Sequence, residues 1–367
     1  MGRAVMPTGI QAREDERVAD FVHRVNRAGD GPAARAAFRD GFTRLRSELA
    51  MYPLSAGRPS AVFESASGTA RSLAATCLPL GIAVSMHLYP LCVLQSMPLP
   101  LLSFARFQRA MLLRSIRNRS LILANAGGER TRGAEPALVA RQDPDGIRVY
   151  GTFEYVSLAS VADVVFFKAR LADGSGTVLC ATDLRADAVR IGEWRFSGGM
   201  RLSDTCPVTF AGHRVPHGRY VAVGSDEVVR CTSDYQRCWF HLFLADTYLA
   251  RLDRLHRLWA LPLPAEHVLS LNELAQLRAW ALRLLDDFTP GCDLQPLQKA
   301  TSAMKLRVSL LAQATMASLR DRDDRPGPDA VQRHADASEL GYIKWQPTAD
   351  EVILRSIGVP SPAQASA

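Results

Sequence analysis

Residues 190–216 read RIGEWRFSGGMRLSDTCPVTFAGHRVP. The second half, from Val208 to Pro216, is rich in β-branched and aromatic residues and stops at a proline, which reads as a strand. Upstream, IRVYGTFEYVSL (147–158), ADVVFFKARL (162–171) and TVLCATDL (177–184) have the same character, and the turn ADGSG precedes the last of them. Asp143-Pro144-Asp145-Gly146 is a tight-turn signal between LVARQ and IRVYG. Several short strands punctuated by turns predict a small barrel or sandwich in the middle of the chain.

On both sides the period is helical. Val18, Phe21, Val22 and Val25 share one face of a helix that Gly29 stops, and a second helix begins near Pro32 with Phe38, Phe42 and Leu45 on one side. Residues 66–95 give apolar helices, and 101–118 a helix carrying Arg106, Arg109, Arg114 and Arg117. After Gly224 the spacing predicts a long helix over 234–259. A second, over 265–288, carries Val268, Leu271, Leu274, Leu277, Trp280, Ala281, Leu284 and Phe288, and a third covers 296–320. The segment 330–357 is expected to be partly helical. The expected division is therefore a helical unit over 1–120, a β unit over 121–224, a helical bundle over 225–358, and a disordered tail over 359–367.

Composition narrows the function classes. The chain has 367 residues, of which 47% are apolar and 22% charged, as in ordinary globular proteins. Four of its 44 basic residues are lysines, so arginine dominates a formal charge of +7. No nucleic-acid motif accompanies that charge. Seven cysteines, none at CxxC spacing, predict no metal site and buried free thiols in a reducing cytoplasm. MGRAVMPTGIQARED lacks the apolar segment of a secretory signal. From Ser72 to Ala105 there is no Asp, Glu, Lys or Arg, a span that would suit a bilayer. Pro79, Pro90, Pro98 and Pro100 interrupt it, and His87 sits inside it, so it reads as a buried central helix followed by a proline-marked turn, with no membrane span.

The middle of the chain resembles the acyl-CoA dehydrogenase superfamily, whose members carry an N-terminal helical domain, a central β-barrel and a C-terminal helical bundle. The 190–216 stretch is similar to that family's W…GMR.SD…V.F….VP pattern. Trp194, Gly199, Met200, Arg201, Ser203, Asp204, Val208, Phe210, Val215 and Pro216 hold the matching places. The resemblance implies an α+β multidomain fold and FAD as cofactor. It places Tyr155 where the family sets an aromatic ring against the flavin, and Ser157 where a hydroxyl reaches the ring edge. The loop from Ala124 to Arg130, with Asn125, Ala126, Gly127 and Gly128, stands where small residues let backbone N–H groups approach flavin or phosphate. Read on their own, Tyr155 and Ser157 are alternate strand residues and Gly127-Gly128 a turn.

The chain departs from the family at three places. ANAGGER lacks the family's Thr-Glu-Pro and Ser-Asp signatures. RLDRLHRLWALPLPAEHVL offers Arg251, Arg254 and Arg257 but no Phe-Gly to grip a neighbour's FAD diphosphate, and these arginines also read as a solvated face with Asp253. GYIKWQPTADEV sets Gln346 near the usual place of the catalytic carboxylate, and Gln takes no proton. Glu339 and Asp350 are the replacement candidates. The leading expectation is a flavin-dependent oxidoreductase acting on an acyl thioester of CoA or of a carrier protein, assembled as a homodimer or homotetramer. A flavin-dependent monooxygenase is the second reading, with His87 and Ser157 beside the flavin. His87 also reads as a core histidine bonded to a neighbouring carbonyl. A flavin-free member with a binding role is the third.

Overall fold

Among the described residues, five helices, eight strands and four helices follow one another: α1 Gly9–Arg27, α2 Pro32–Arg46, α3 Pro59–Thr76, α4 Leu78–Ser96, α5 Phe104–Asn118, β1 Leu123–Ala126, β2 Leu138–Asp143, β3 Gly146–Val156, β4 Val164–Leu171, β5 Thr177–Asp183, β6 Val189–Ile191, β7 Cys206–Pro216, β8 Tyr220–Val223, α6 Asp226–Leu258, α7 Ala265–Asp286, α8 Gln295–Arg320 and α9 Pro328–Leu340. The structure is a computed structural model that describes residues 9–47, 49–52, 57–97, 104–126, 138–196, 198–223, 226–261, 265–289, 293–320 and 328–340. The expectations for Gly127, Gly128, Gln346, Asp350 and the 359–367 tail lie outside the described residues.

The acid-free stretch is two helices. Cys77 breaks them with an extended backbone (φ −143°, ψ 98°), and Pro79 sits in the first turn of α4, where its missing N–H costs nothing. Every residue of α4 from Leu78 to Val93 is buried. A Cβ on Gly81 would lie 2.4 Å from the Ala74 Cβ, so glycine lets α4 fold back against α3. α4 is the one described helix long and apolar enough to cross a membrane, and 89% of that window is buried in the protein. α6 packs against α3, α4 and α8, so the first and last helical groups share a core that includes Phe63, Trp239 and Phe243.

The strands form one sheet in the order β6-β7-β3-β2-β4-β5-β8, with β1 paired parallel to β4. The turn at 143–146 closes the β2–β3 hairpin with Asp143 opposite Gly146. The sheet curls until Phe167 of β4 meets Phe210 of β7 (ring centroids 4.9 Å apart) and β5 contacts β7. No ladder joins β6 to β8 among the described residues. The expected barrel is thus a curled sheet with open edges. β1 pairs with the first half of β4 and β2 with its last residues. β1 thereby comes alongside β3.

One apolar stripe read from the sequence is divided. Leu274 and Ala281 of α7 are buried as expected, whereas Leu269, Leu271 and Trp280 of α7 are exposed, as is Leu310 of α8. Spacing locates a helical face but not what covers it.

Candidate functional site

The residues that carry the sequence resemblance form a structural clasp. Asp204 is fully buried, and its carboxylate accepts the Trp194 indole N–H (2.7 Å) and both the backbone N–H and the hydroxyl of Ser160 (2.8 Å each). Burial is the main force raising its pKa, to about 6, against the three donors that lower it. Asp204 and Leu158 hold left-handed backbone (φ 49° and 58°) where the β3–β4 connection crosses the Gly198–Ser203 turn, and the N–H groups of Leu158 and Ala159 donate to the carbonyls of Ser203 and Asp204. Arg201 reaches the other way, donating to Asn26 Oδ1 (2.6 Å) in the last turn of α1 and to Gly29 O (2.8 Å) just beyond it. The motif joins the first helices to the sheet.

The clasp fixes the end of β3, and there the strand changes face. Ile147, Val149 and Phe153 point into the core, so alternation would put Tyr155 there too. The pairing with β7 shifts between Phe153 and Val156, however: three residue steps on β3 match two on β7. This bulge buries Val156 and turns Tyr155 outward to 62% exposure. A second shift, between Val149 and Tyr150, sits opposite Gly212 (φ 76°), where an added Cβ would come within 3.1 Å of the Tyr150 ring. The Tyr155 ring stacks near-parallel on Phe196 (centroids 6.0 Å, 27°), leaving an exposed aromatic wall. Beside it, Ser157 Oγ is 2.9 Å from Thr205 Oγ1, which is 2.8 Å from Ser203 Oγ, and Ser203 donates to Met200 O. The Ser157 hydroxyl is therefore held in place from behind.

Asn125 of β1 is buried between two helices. Its amide donates to the Tyr89 hydroxyl on α4, and its Oδ1 accepts from Gln236 Nε2 on α6 at 3.1 Å. Burial raises the Tyr89 hydroxyl's pKa far above its ordinary value, so it is neutral. Ala126 ends the strand opposite Phe167. The expected cofactor residues thus fall into two neighbouring sets, Tyr155 with Ser157 at the end of β3 and Asn125 with Ala126 at the end of β1. Thr205, Tyr89, Gln236 and Phe196 complete them and were not singled out from the sequence. Phe196 and Thr205 lie within the 190–216 stretch, and Tyr89 within the acid-free one. Only the fold could reveal Gln236.

The catalytic candidates occupy other surroundings. His87 is fully buried, and its Nδ1 accepts the Leu123 N–H at 2.9 Å, so its Nε2–H donates to Met51 O at 2.9 Å. Burial lowers its pKa to about 4. Here it is a neutral core histidine tying α4 to β1 and to the chain after α2. Glu339 of α9 is 2.9 Å from Arg251 Nη2 of α6. Arg251 also pairs with Asp336 (2.9 Å) and donates to the carbonyls of Ala75 and Thr76 at the end of α3. Burial raises the Glu339 pKa to about 7, with Arg251 opposing. Glu339 interacts with Arg251, Asp336 and the Leu78 backbone. Of the arginines considered for a diphosphate, Arg251 is committed to this network, and Arg257 pairs with Asp253 on an exposed face. No cluster of metal-ligating side chains occurs among the described residues.

No protein-family model matches the chain, and no curated protein matches it by sequence. Solved structures match over nearly its whole length. KijD3 in complex with dTDP is 17% identical with a TM-score of 0.69, covering 98% of this chain and 97% of that one. The FAD complex of PigA is 15% identical with a TM-score of 0.68, covering 97% and 99%. The dibenzothiophene monooxygenase TdsC from Paenibacillus sp. A11-2 is 16% identical with a TM-score of 0.67, covering 95% of each chain. TdsC and KijD3 also have FMN-bound structures. In fold, the chain is similar to these flavin-binding proteins.

Proposed function

We propose that this protein is a flavin-dependent oxidoreductase with FAD as its cofactor, and that its reaction is a monooxygenation. The observation that carries the reading is the bulge at the end of β3, which spends a ladder position to expose the flat ring of Tyr155 beside an anchored hydroxyl. An isoalloxazine needs such a wall and such a hydrogen bond, and the residues present fit it. The flavin-bound structures of PigA, TdsC and KijD3 on the same fold support the cofactor, and FMN is the alternative that two of them hold.

Bound flavin would supply electrons to dioxygen or, in the dehydrogenase reading, accept a hydride. The chain's own residues set the conditions. Tyr155 and Phe196 stack against the ring and exclude water from one side. Ser157, whose proton goes to Thr205, would accept a hydrogen bond at the ring edge. Asn125, held by Tyr89 and Gln236, lines the neighbouring strand end with a neutral amide. Of the carboxylates nearest this wall, Glu154 pairs with Arg195 and Asp204 belongs to the clasp. A reaction that needs no carboxylate base fits these surroundings better than proton abstraction from an acyl thioester of CoA or a carrier protein. That second reading would take its base from Asp350, which lies outside the described residues, or from another carboxylate. The exposed Leu269, Leu271, Trp280 and Leu310 support assembly as a homodimer or homotetramer.

The test is spectroscopic. The purified protein is expected to be yellow or to bind added FAD, and its flavin to be reduced by a separate reductase and reoxidised by dioxygen. Bleaching by an acyl thioester without oxygen would select the dehydrogenase reading, and a protein that binds neither FAD nor FMN would reject both.

A further inference from the structure

The curled sheet leaves a cleft of about 300 Å³ where the end of β5 meets the end of β7, closed on one side by Arg119 beyond α5. Four arginines line it: Arg119, Arg185, Arg214 and Arg219. Tyr155, Ser157 and Asn125 do not. Its two carboxylates are already engaged. Asp163 accepts the Ile122 N–H and lies 3.9 Å from Arg46, while Asp183 accepts the Arg185 N–H. Arg214 pairs with Asp145 and Arg185 donates to Ser160 O. Neither Arg119 nor Arg219 has a carboxylate partner among the described residues. Thr182 and His213, 5% and 7% exposed, also line the cleft and hydrogen-bond to each other through His213 Nε2. The other ring nitrogen has no partner among the described residues.

We propose that this cleft binds the phosphate or pyrophosphate group of a small molecule. Guanidinium groups match phosphoryl oxygens two at a time, and a cleft with more cations than carboxylates draws a multiply charged anion in preference to a chloride. The volume suits a small ligand, at the lower end of the range of about 300–1,000 Å³ for such sites. The buried imidazole and hydroxyl add neutral polar partners below the arginines. The site is separate from the proposed flavin wall, so it stands or falls on its own.

The experiment titrates inorganic pyrophosphate into the full-length protein by calorimetry at constant ionic strength, with sodium chloride as the control. Binding is expected, with affinity about tenfold weaker in Arg219→Gln and in Arg119→Gln, as for loss of one charge-assisted contact. The exposed-face control Arg39→Gln is expected to leave it unchanged. Both cleft substitutions are of exposed side chains, and FAD titration of each variant reports separately on the Tyr155 wall. Absence of binding, equal weakening by Arg39→Gln, or unchanged affinity in both cleft variants would each overturn the proposal.

Discussion

The Asp204 clasp and the Tyr155 wall lie a few residues apart in the fold and are built on opposite terms. In the clasp a buried carboxylate is met by three donors; at the wall a large ring is left in the open. The family-like residues crowd into the first and hardly touch the second. A dense motif can therefore mark what holds a scaffold together, while the proposed cofactor wall is set by a shift in pairing beside it.

Substitutions should separate the two regions. Asp204→Ala strands the Trp194 indole N–H and both Ser160 donors, and is expected to cost roughly 3 kcal/mol in urea unfolding. A loss under 1 kcal/mol would mean the clasp is not structural. His87 gives a comparable effect that depends on pH. Its folded-state pKa is depressed from 6.5 to about 4. The unfolded chain thus takes up the proton first, and the contribution, complete above 6.5, is lost as pH falls towards 4. Over that window it amounts to roughly 3 kcal/mol. Glu339 and Asp204, raised to about 7 and about 6, act in the opposite sense over part of the same range. The measurement is therefore the difference between wild type and His87→Gln, which is expected to lack this acid-side loss; parallel curves would contradict the buried neutral imidazole.

At the wall the order reverses. Ser157→Ala removes one hydroxyl from a chain of three and is expected to cost about 1 kcal/mol of stability, with a larger proportional loss of turnover. Tyr155→Ala is expected to change stability by no more than about 0.5 kcal/mol, because an exposed ring contributes little to folding, yet to weaken FAD binding about tenfold. Unaltered FAD affinity in that variant would remove the wall from the cofactor site.

Much of the fold was legible because burial writes itself into spacing. Phe21, Phe38 and Phe42 are buried as the helical period requires, and Asp143-Pro144-Asp145-Gly146 makes the hairpin turn its residues dictate. The bulge was not legible. Alternation assigns Tyr155 to the face of Phe153, and only the register against β7 shows one residue too many. The partners of Asn125 were hidden for another reason: Tyr89 lies 36 positions before it and Gln236 111 after it, separations that no local pattern encodes. His87 shows the limit of residue type, since an imidazole suited to catalysis and one suited to bridging two backbone groups look alike until both nitrogens are located.

The guanidinium of Arg251 bonds to the last carbonyls of α3 and to two carboxylates of α9. Heating cannot part α3 from α9 without stranding that cation, so the helices before and after the sheet should melt in one cooperative transition. Three segments told apart by their letters would then behave calorimetrically as a single unit.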